Sequence, residues 1–317
     1  MSQILTLDIN QFYSNNSSDK KAFVQGLRTA YEDIGFVIIK GHKVSSQLQE
    51  KSYEVVQNFF ALPNETKMKY HIPNTGGARG FTPFKTEHAK DNPVFDLKEF
   101  FHVGVEVPES NPLSKVYPKN VSVSDVKDFD QTLRNLYSGL LELGIDMLRA
   151  ISIILEVPED YFTEKVRYGN SILRPIHYPP LRGDEEPKAY RSSAHEDINL
   201  ITLLIGASEP GLQVKNRKGE WVALQSGRDE IVVNVGDMLQ RLTNYRLKST
   251  THQVVNPTDR SAMSKPRFSI PFFLHPISDM SLAALDTCTS AENPPKDPAT
   301  TAGEYLAQRL REIGLYK

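Results

Sequence analysis

Two histidines and one aspartate stand where they can share a metal ion. His195 and Asp197 fall at positions i and i+2 of one short segment, AHEDINLITLL. In a strand-like stretch such positions face the same side, so one piece of backbone presents both ligands. His252, in STTHQVVNP, lies far downstream on a separate strand candidate. Two imidazoles and a carboxylate cover one face of an octahedron and leave three positions open. That arrangement suits a non-haem Fe(II) centre that must still bind a co-substrate and O2. Catalytic zinc also takes two histidines and an acid. A bare His-x-Asp arises by chance in many chains, so the tripeptide alone does not separate a metal site from ordinary strand histidines.

A second pair shifts the balance. Arg267 and Ser269, in PRFSIPFF, are again i and i+2 and face one side of the next strand candidate. A guanidinium forks onto a carboxylate through two parallel hydrogen bonds, and a hydroxyl adds a third. Such a pair suits the far carboxylate of a dicarboxylic acid whose other end chelates the metal. An exposed arginine ion pair would be worth only about 0–1 kcal/mol. A zinc hydrolase would leave the Arg-x-Ser pair without a purpose.

These residues need elements to position them. Residues 4–9 read as a short strand, 19–34 as a helix capped by Ser18, and 36–40 (FVIIK) as a buried strand. A second helix spans about 45–60 and stops before Leu62-Pro63. Residues 71–95, rich in Gly and Pro, read as loop. The longest helical period runs over about 125–155, with Ser124 as cap and an interruption expected near Gly144. After residue 168 the period falls to two. GLQVKNRKGEWVAL reads as two strands around a turn. In EIVVNVGDML, Ile231, Val233 and Val235 alternate with outward positions. THQVVNP and RFSIPFFLHP add two more strands, and 301–313 returns to a helix. Many short strands indicate a sandwich or barrel.

Composition bounds the rest. The chain has 317 residues, 39% hydrophobic and 24% charged, which supports a sizeable core. Its 37 Lys and Arg nearly balance 39 Asp and Glu, so bulk charge gives no basis for binding nucleic acid or an anionic membrane. The single cysteine, Cys288, cannot form an intrachain disulfide and points to a reducing compartment. The N-terminal stretch lacks a secretory pattern, and no run approaches the roughly 20 apolar residues of a membrane span. A cytoplasmic enzyme with a small-molecule substrate, monomeric or weakly homo-oligomeric, is expected.

The ordered series of motifs resembles the isopenicillin N synthase-like family of 2-oxoglutarate/Fe(II)-dependent dioxygenases over nearly the whole length. AYEDIGFVIIKGH, FFALPNETKMKY, DLKEFFHVG, HYPP, HEDINLITLL, GLQVKNRKGEWV, IVVNVGDMLQRLTN, LKSTTHQVVNP and RFSIPFF follow in family order. The resemblance implies a mainly β fold with flanking α (α+β). Its core would be a double-stranded β-helix, or jelly roll, over 168–280. An N-terminal α/β region (1–120), a long connecting helix (121–167) and a helical tail (281–317) would surround it. It implies Fe(II) on His195, Asp197 and His252. Arg267, Ser269 and Tyr178 would bind 2-oxoglutarate, and O2 would be consumed. Ile176 and His177 depart from the family's Asn-Tyr-Tyr-Pro-Pro pattern. A same-family oxidase that does not use 2-oxoglutarate, and a non-catalytic iron or 2-oxoglutarate sensor, are the alternatives.

Other residues carry weaker signals. GGARGF at 76–81 lacks the Lys-Ser/Thr of a phosphate loop. By resemblance it lies near the substrate entrance, which makes Arg79 and Phe81 pocket candidates, with His177 and Phe273. Arg174 and Arg241 can meet an acidic substrate. His42, His71, His88, His102 and His275 receive no role.

Overall fold

Alternating apolar segments demand two covered faces, and the fold supplies them with two sheets and a layer of helices. The computed structural model describes residues 4–73, 78–89 and 92–312. Its strands are β1 (Leu5–Asp8), β2 (Phe36–Lys40), β3 (Gly80–Thr82), β4 (Glu99–Gly104), β5 (Ile172–Leu173), β6 (Ile176–Tyr178) and β7 (Ser192–His195). They continue with β8 (Ile201–Ile205), β9 (Leu212–Lys215), β10 (Trp221–Ala223), β11 (Ile231–Val235), β12 (His252–Val254) and β13 (Arg267–Leu274). The larger sheet runs β1-β2-β11-β8-β13-β5-β4-β3, with β6 pairing β13 and β4. The smaller sheet runs β10-β9-β12-β7. This is the expected sheet-rich jelly-roll core with flanking helices.

The pleat sorts side chains between two cores. Phe36, Ile38 and Val232 of the larger sheet pack with Leu212, Val214 and Val254 of the smaller one. Val37, Ile39, Ile231, Val233, Val235, Ile270 and Phe272 point the other way, into the cluster formed with the helices. The expected alternation of β11 with outward positions is therefore corrected: all five of its residues are buried. Both faces of the sheet are covered, so the alternation separates one core from another, not core from water.

The helix Phe129–Ile154 is the longest. Its start is a left-handed Asp128, φ 62°, not the expected Ser124 cap. It also runs through Gly144 without the expected interruption. A Cβ there would lie 2.8 Å from a Leu274 methyl and 3.3 Å from one of Leu203. The glycine lets the helix approach β13 and β8 closely. Asn16, not Ser18, caps the helix Ser17–Asp33 by accepting from the Ser18 amide. Ser45 caps Ser46–Phe60 in the same way.

Residues 71–95 are not all loop, since β3 lies inside that range and pairs with β4 beyond it; residues 74–77 and 90–91, including Gly76 and Gly77, lie outside the described residues. The C-terminal helix is Ala302–Glu312, and residue 313 is likewise outside. Strands from the first 120 residues join the same sheet as those after 168: β2 pairs with β11, and β4 with β5 and β6. Among the described residues, no helix is long and apolar enough to cross a membrane.

Candidate active site

β7 ends at His195 and β12 begins at His252, and the two residues sit opposite each other in the antiparallel pair. Their ring centroids are 4.5 Å apart. Asp197 follows two residues later, where the chain has already left β7. The i, i+2 spacing does bring both ligands to one side, although Asp197 stands just beyond the paired part of the strand. Asp197 Oδ1 lies 3.8 Å from His195 Nε2 and 3.7 Å from His252 Nε2. The three donor atoms all lie within 4.8 Å of one another.

The surroundings fix which atoms face the common centre. His195 Nδ1 is 2.7 Å from the Ser193 carbonyl, and His252 Nδ1 is 3.1 Å from that of Thr250. A carbonyl can only accept, so each Nδ1 donates and each Nε2 keeps its lone pair for a metal. Asp197 Oδ2 accepts from Thr202 Oγ1 at 2.6 Å and from Asn234 Nδ2 at 2.9 Å, which leaves Oδ1 facing inward. Thr202 in turn accepts from Asn199 Nδ2 at 2.8 Å, so its hydroxyl is committed to donate to Asp197. Sheet register explains the convergence. Phe273 lies opposite Thr202, Thr202 opposite Asn234, and Asn234 opposite Phe36. Directly opposed residues share a face. One row across four strands therefore delivers both hydrogen-bond donors, while Phe36 packs edge-on to His252 with centroids 5.6 Å apart.

Electrostatics favour the ligating forms. Desolvation in the cavity and the neighbouring His252 push the His195 imidazole down to about 4. Burial alone would raise the Asp197 carboxyl, but His252, His195 and the bonds from Asn234 and Thr202 outweigh it and hold it low. A neutral imidazole and an ionised carboxylate are what a metal requires. Thr202→Val keeps the shape and deletes the donor. It is expected to weaken Fe(II) binding about 10–100-fold, read by anaerobic metal titration.

The centre opens on a cavity of about 980 Å³ that includes His195, Asp197, Phe273, Arg79, Arg174 and His275 in its lining. Part of its wall is a buried ionic network. Lys98 Nζ lies 3.0 Å from Glu87 and 2.9 Å from Asp96, and Arg174 reaches Glu87 at 3.4 Å. Burial opposes the Glu87 charge, but Arg174 and Lys98 prevail and hold its carboxyl well below the usual range. A carboxylate depressed in this way contributes stability above its unfolded value, about pH 4.3, and loses it as pH falls toward the folded value. Lys98→Met removes the cation from buried Asp96 and leaves Glu87 to Arg174 alone, and is expected to cost about 3–5 kcal/mol, measured by urea unfolding at neutral pH. The difference from wild type should shrink on acidification.

Arg267 and Ser269 share a face of β13, opposite Tyr178 and Ile176 of β6. The Arg267 guanidinium is 1% exposed and stands 5.0 Å from the Tyr178 ring centroid. Its Nε donates to the Glu209 carbonyl at 3.0 Å, while Nη1 has no partner among the described residues. Arg191, 2% exposed and singled out by no motif, feels the positive charge of Arg267 and leaves its own Nε unpartnered. Neither guanidinium forms an ion pair among the described residues. Two buried cations without a carboxylate make a seat for an anion.

The remaining expected residues divide. Arg79, Phe273 and Arg174 line the cavity. Phe81 is instead a core ring, 6.0 Å from Phe59 between centroids, and is absent from the cavity lining. His177 stacks on Phe268 and bonds Glu99 at 2.7 Å, away from that lining. Arg241 pairs with Asp297 at 3.4 Å. Sequence reasoning passed over Lys98, Glu87, Thr202, Asn234, His102 and His275. Period two in β8 and β11 puts Thr202 and Asn234 on the face opposite Ile201, Leu203, Ile231 and Val233, and only the second sheet turns that face into a buried one; the others had no local signal.

Fold and site together define a jelly-roll oxygenase with a candidate His-Asp-His metal site. Residues 4–125 match the family described as non-haem dioxygenase in morphine synthesis N-terminal, and residues 166–276 match the 2OG-Fe(II) oxygenase superfamily. A 2-oxoglutarate-Fe(II) type oxidoreductase of Emericella nidulans is 32% identical over 95% of this chain and 87% of its own length. The crystal structure of a 2OG-Fe(II) oxygenase family protein from Caulobacter crescentus superposes with TM-score 0.87 at 39% identity, covering 98% of this chain and 99% of that one. A full-length Neurospora crassa protein, solved in complex with alpha-KG, gives a TM-score of 0.85 at 28% identity over 96% of this chain and 95% of that one. The chain belongs to the 2OG-Fe(II) oxygenase superfamily. It is a 2-oxoglutarate/Fe(II)-dependent oxidoreductase that uses O2.

Proposed function

We propose that His195, Asp197 and His252 hold Fe(II), and that Arg267, Ser269 and Tyr178 anchor the far carboxylate of 2-oxoglutarate while a small molecule is oxidised. The convergence of two Nε2 lone pairs and Asp197 Oδ1 carries this reading. Bound Fe(II) would supply the coupled decarboxylation of 2-oxoglutarate and oxidation of the substrate by O2, giving succinate and CO2. The protein's part is placement. Ser193 and Thr250 carbonyls hold the imidazole tautomers, Thr202 and Asn234 aim the carboxylate, and the unpartnered Arg267 Nη1 awaits an acceptor. The balanced charge and the single, buried Cys288 support a cytoplasmic enzyme, monomeric or weakly homo-oligomeric, without nucleic-acid or membrane partners. Within it, 168–280 would be the iron-binding core, flanked by 1–120, 121–167 and 281–317. Anaerobic reconstitution with Fe(II) followed by 2-oxoglutarate-dependent O2 uptake and succinate release tests the reading. O2 uptake without succinate would defeat it in favour of an oxidase.

A further inference from the structure

Arg79 is a buried cation with no counter-charge among the described residues, and it lies on the wall of the metal cavity. It is 1% exposed. Nη1 donates to its neighbour's carbonyl, Ala78 O, at 2.7 Å, while Nε and Nη2 have no partner among the described residues. Among the described residues no carboxylate pairs with it. The other cations of the same wall are matched: Lys98 and Arg174 by Glu87 and Asp96, and Arg309 by Asp237 and Glu312. The backbone is shaped to receive this guanidinium. A Cβ on Gly104 would stand 1.8 Å from Arg79 Cζ, so only glycine leaves room for it. Burial lowers the Arg79 pKa to about 10, which still leaves it cationic at neutral pH. Beside it, the Tyr117 hydroxyl is also buried and partnerless, and Tyr117 lines the same cavity.

We propose that Arg79 and Tyr117 bind an oxyanion carried by the primary substrate, a carboxylate or a phosphate ester, so that this enzyme oxidises small organic anions. The proposal deepens the reading of the cavity as the Fe(II)/2-oxoglutarate site and rests on it. An oxyanion would pair with the guanidinium and accept from the phenol, satisfying groups that the protein leaves unmet. It would also fix which end of the substrate faces the metal centre, since His195 and Asp197 lie in the same lining. The anion seat at Arg267 is built on β13 and β6, and the Arg79 seat on the segment before β3 and on β4, so the two draw on different elements.

The test is calorimetry on the protein loaded anaerobically with Fe(II) and 2-oxoglutarate, which fills the other anion site. The probes are benzoate, phenyl phosphate and benzamide. At least one anion should bind about tenfold or more tightly than the neutral amide, as charge-assisted hydrogen bonds imply; which one does so names the group. Arg79→Gln should erase the preference. Gly104→Ala, which keeps the arginine but takes its place, should weaken it. Equal binding of all three probes to wild type overturns the proposal without any variant. So does a preference that persists in a folded Arg79→Gln protein. The visible charge-transfer band of bound Fe(II) and 2-oxoglutarate is recorded alongside. Its absence in wild type would defeat the reading of the metal site, whereas its presence with no anion preference would defeat the Arg79 proposal alone.

Discussion

Asp197→Ala is expected to abolish 2-oxoglutarate-dependent turnover and to reduce bound iron to a small fraction of the wild-type content. In the proposed centre the carboxylate is one of three protein donors, and its Oδ1 lies 3.7 and 3.8 Å from the two Nε2 atoms. Losing a residue that merely orients a ligand costs about 10–100-fold in metal affinity; losing the ligand itself should cost more. The substitution also leaves Thr202 Oγ1 and Asn234 Nδ2 without their acceptor in a buried place. Each stranded donor costs about 1–3 kcal/mol, so metal-free stability should fall as well. Metal analysis after anaerobic reconstitution, beside thermal unfolding of the metal-free protein, separates the two effects. Full turnover with normal iron content would remove Asp197 from the centre.

The second large effect is expected at Arg267. Arg267→Ala should raise the 2-oxoglutarate concentration needed for half-maximal rate, with a smaller change in the rate at saturation. The guanidinium is 1% exposed, so its partner is bound out of water. Removing one member of a desolvated, hydrogen-bonded charge pair costs about 2–5 kcal/mol, or roughly 30-fold to several thousand-fold in affinity. Arg267→Lys keeps the charge but loses the planar fork and should fall between the two. Arg191, buried close enough to feel the Arg267 charge, should cushion the loss, so the double replacement should exceed the single one. An unchanged 2-oxoglutarate requirement would place its far carboxylate elsewhere.

The legible parts of the fold were those with a single dominant period. FVIIK became β2, and the helix at Phe129–Ile154 lies inside its expected range, because long or wholly apolar patterns leave few alternatives. The errors have physical causes. Ser124 looked like a cap, but a left-handed Asp128 starts the helix. Gly144 looked like a break, yet it marks close contact with Leu274 and Leu203. β3 was hidden by glycine and proline because its ladder is made with β4, about twenty residues away, and its start with a bridge to His71.

At the site, the residue types and their order along the chain determined the chemistry. Two histidines, an acid and an Arg-x-Ser pair point to a metal with open positions and to a place for a second carboxylate. Their geometry was decided elsewhere. Asp197 and His195 meet the second imidazole only because β7 pairs with β12, and Oδ1 faces them only because Thr202 and Asn234, on other strands, claim Oδ2. The same holds for Lys98, Glu87, Arg191 and Arg79, whose importance lies in being buried with or without a partner. Identity is local and can be read along a chain. Burial and pairing come from segments far apart in sequence, so they exist only once the sheets have closed on each other.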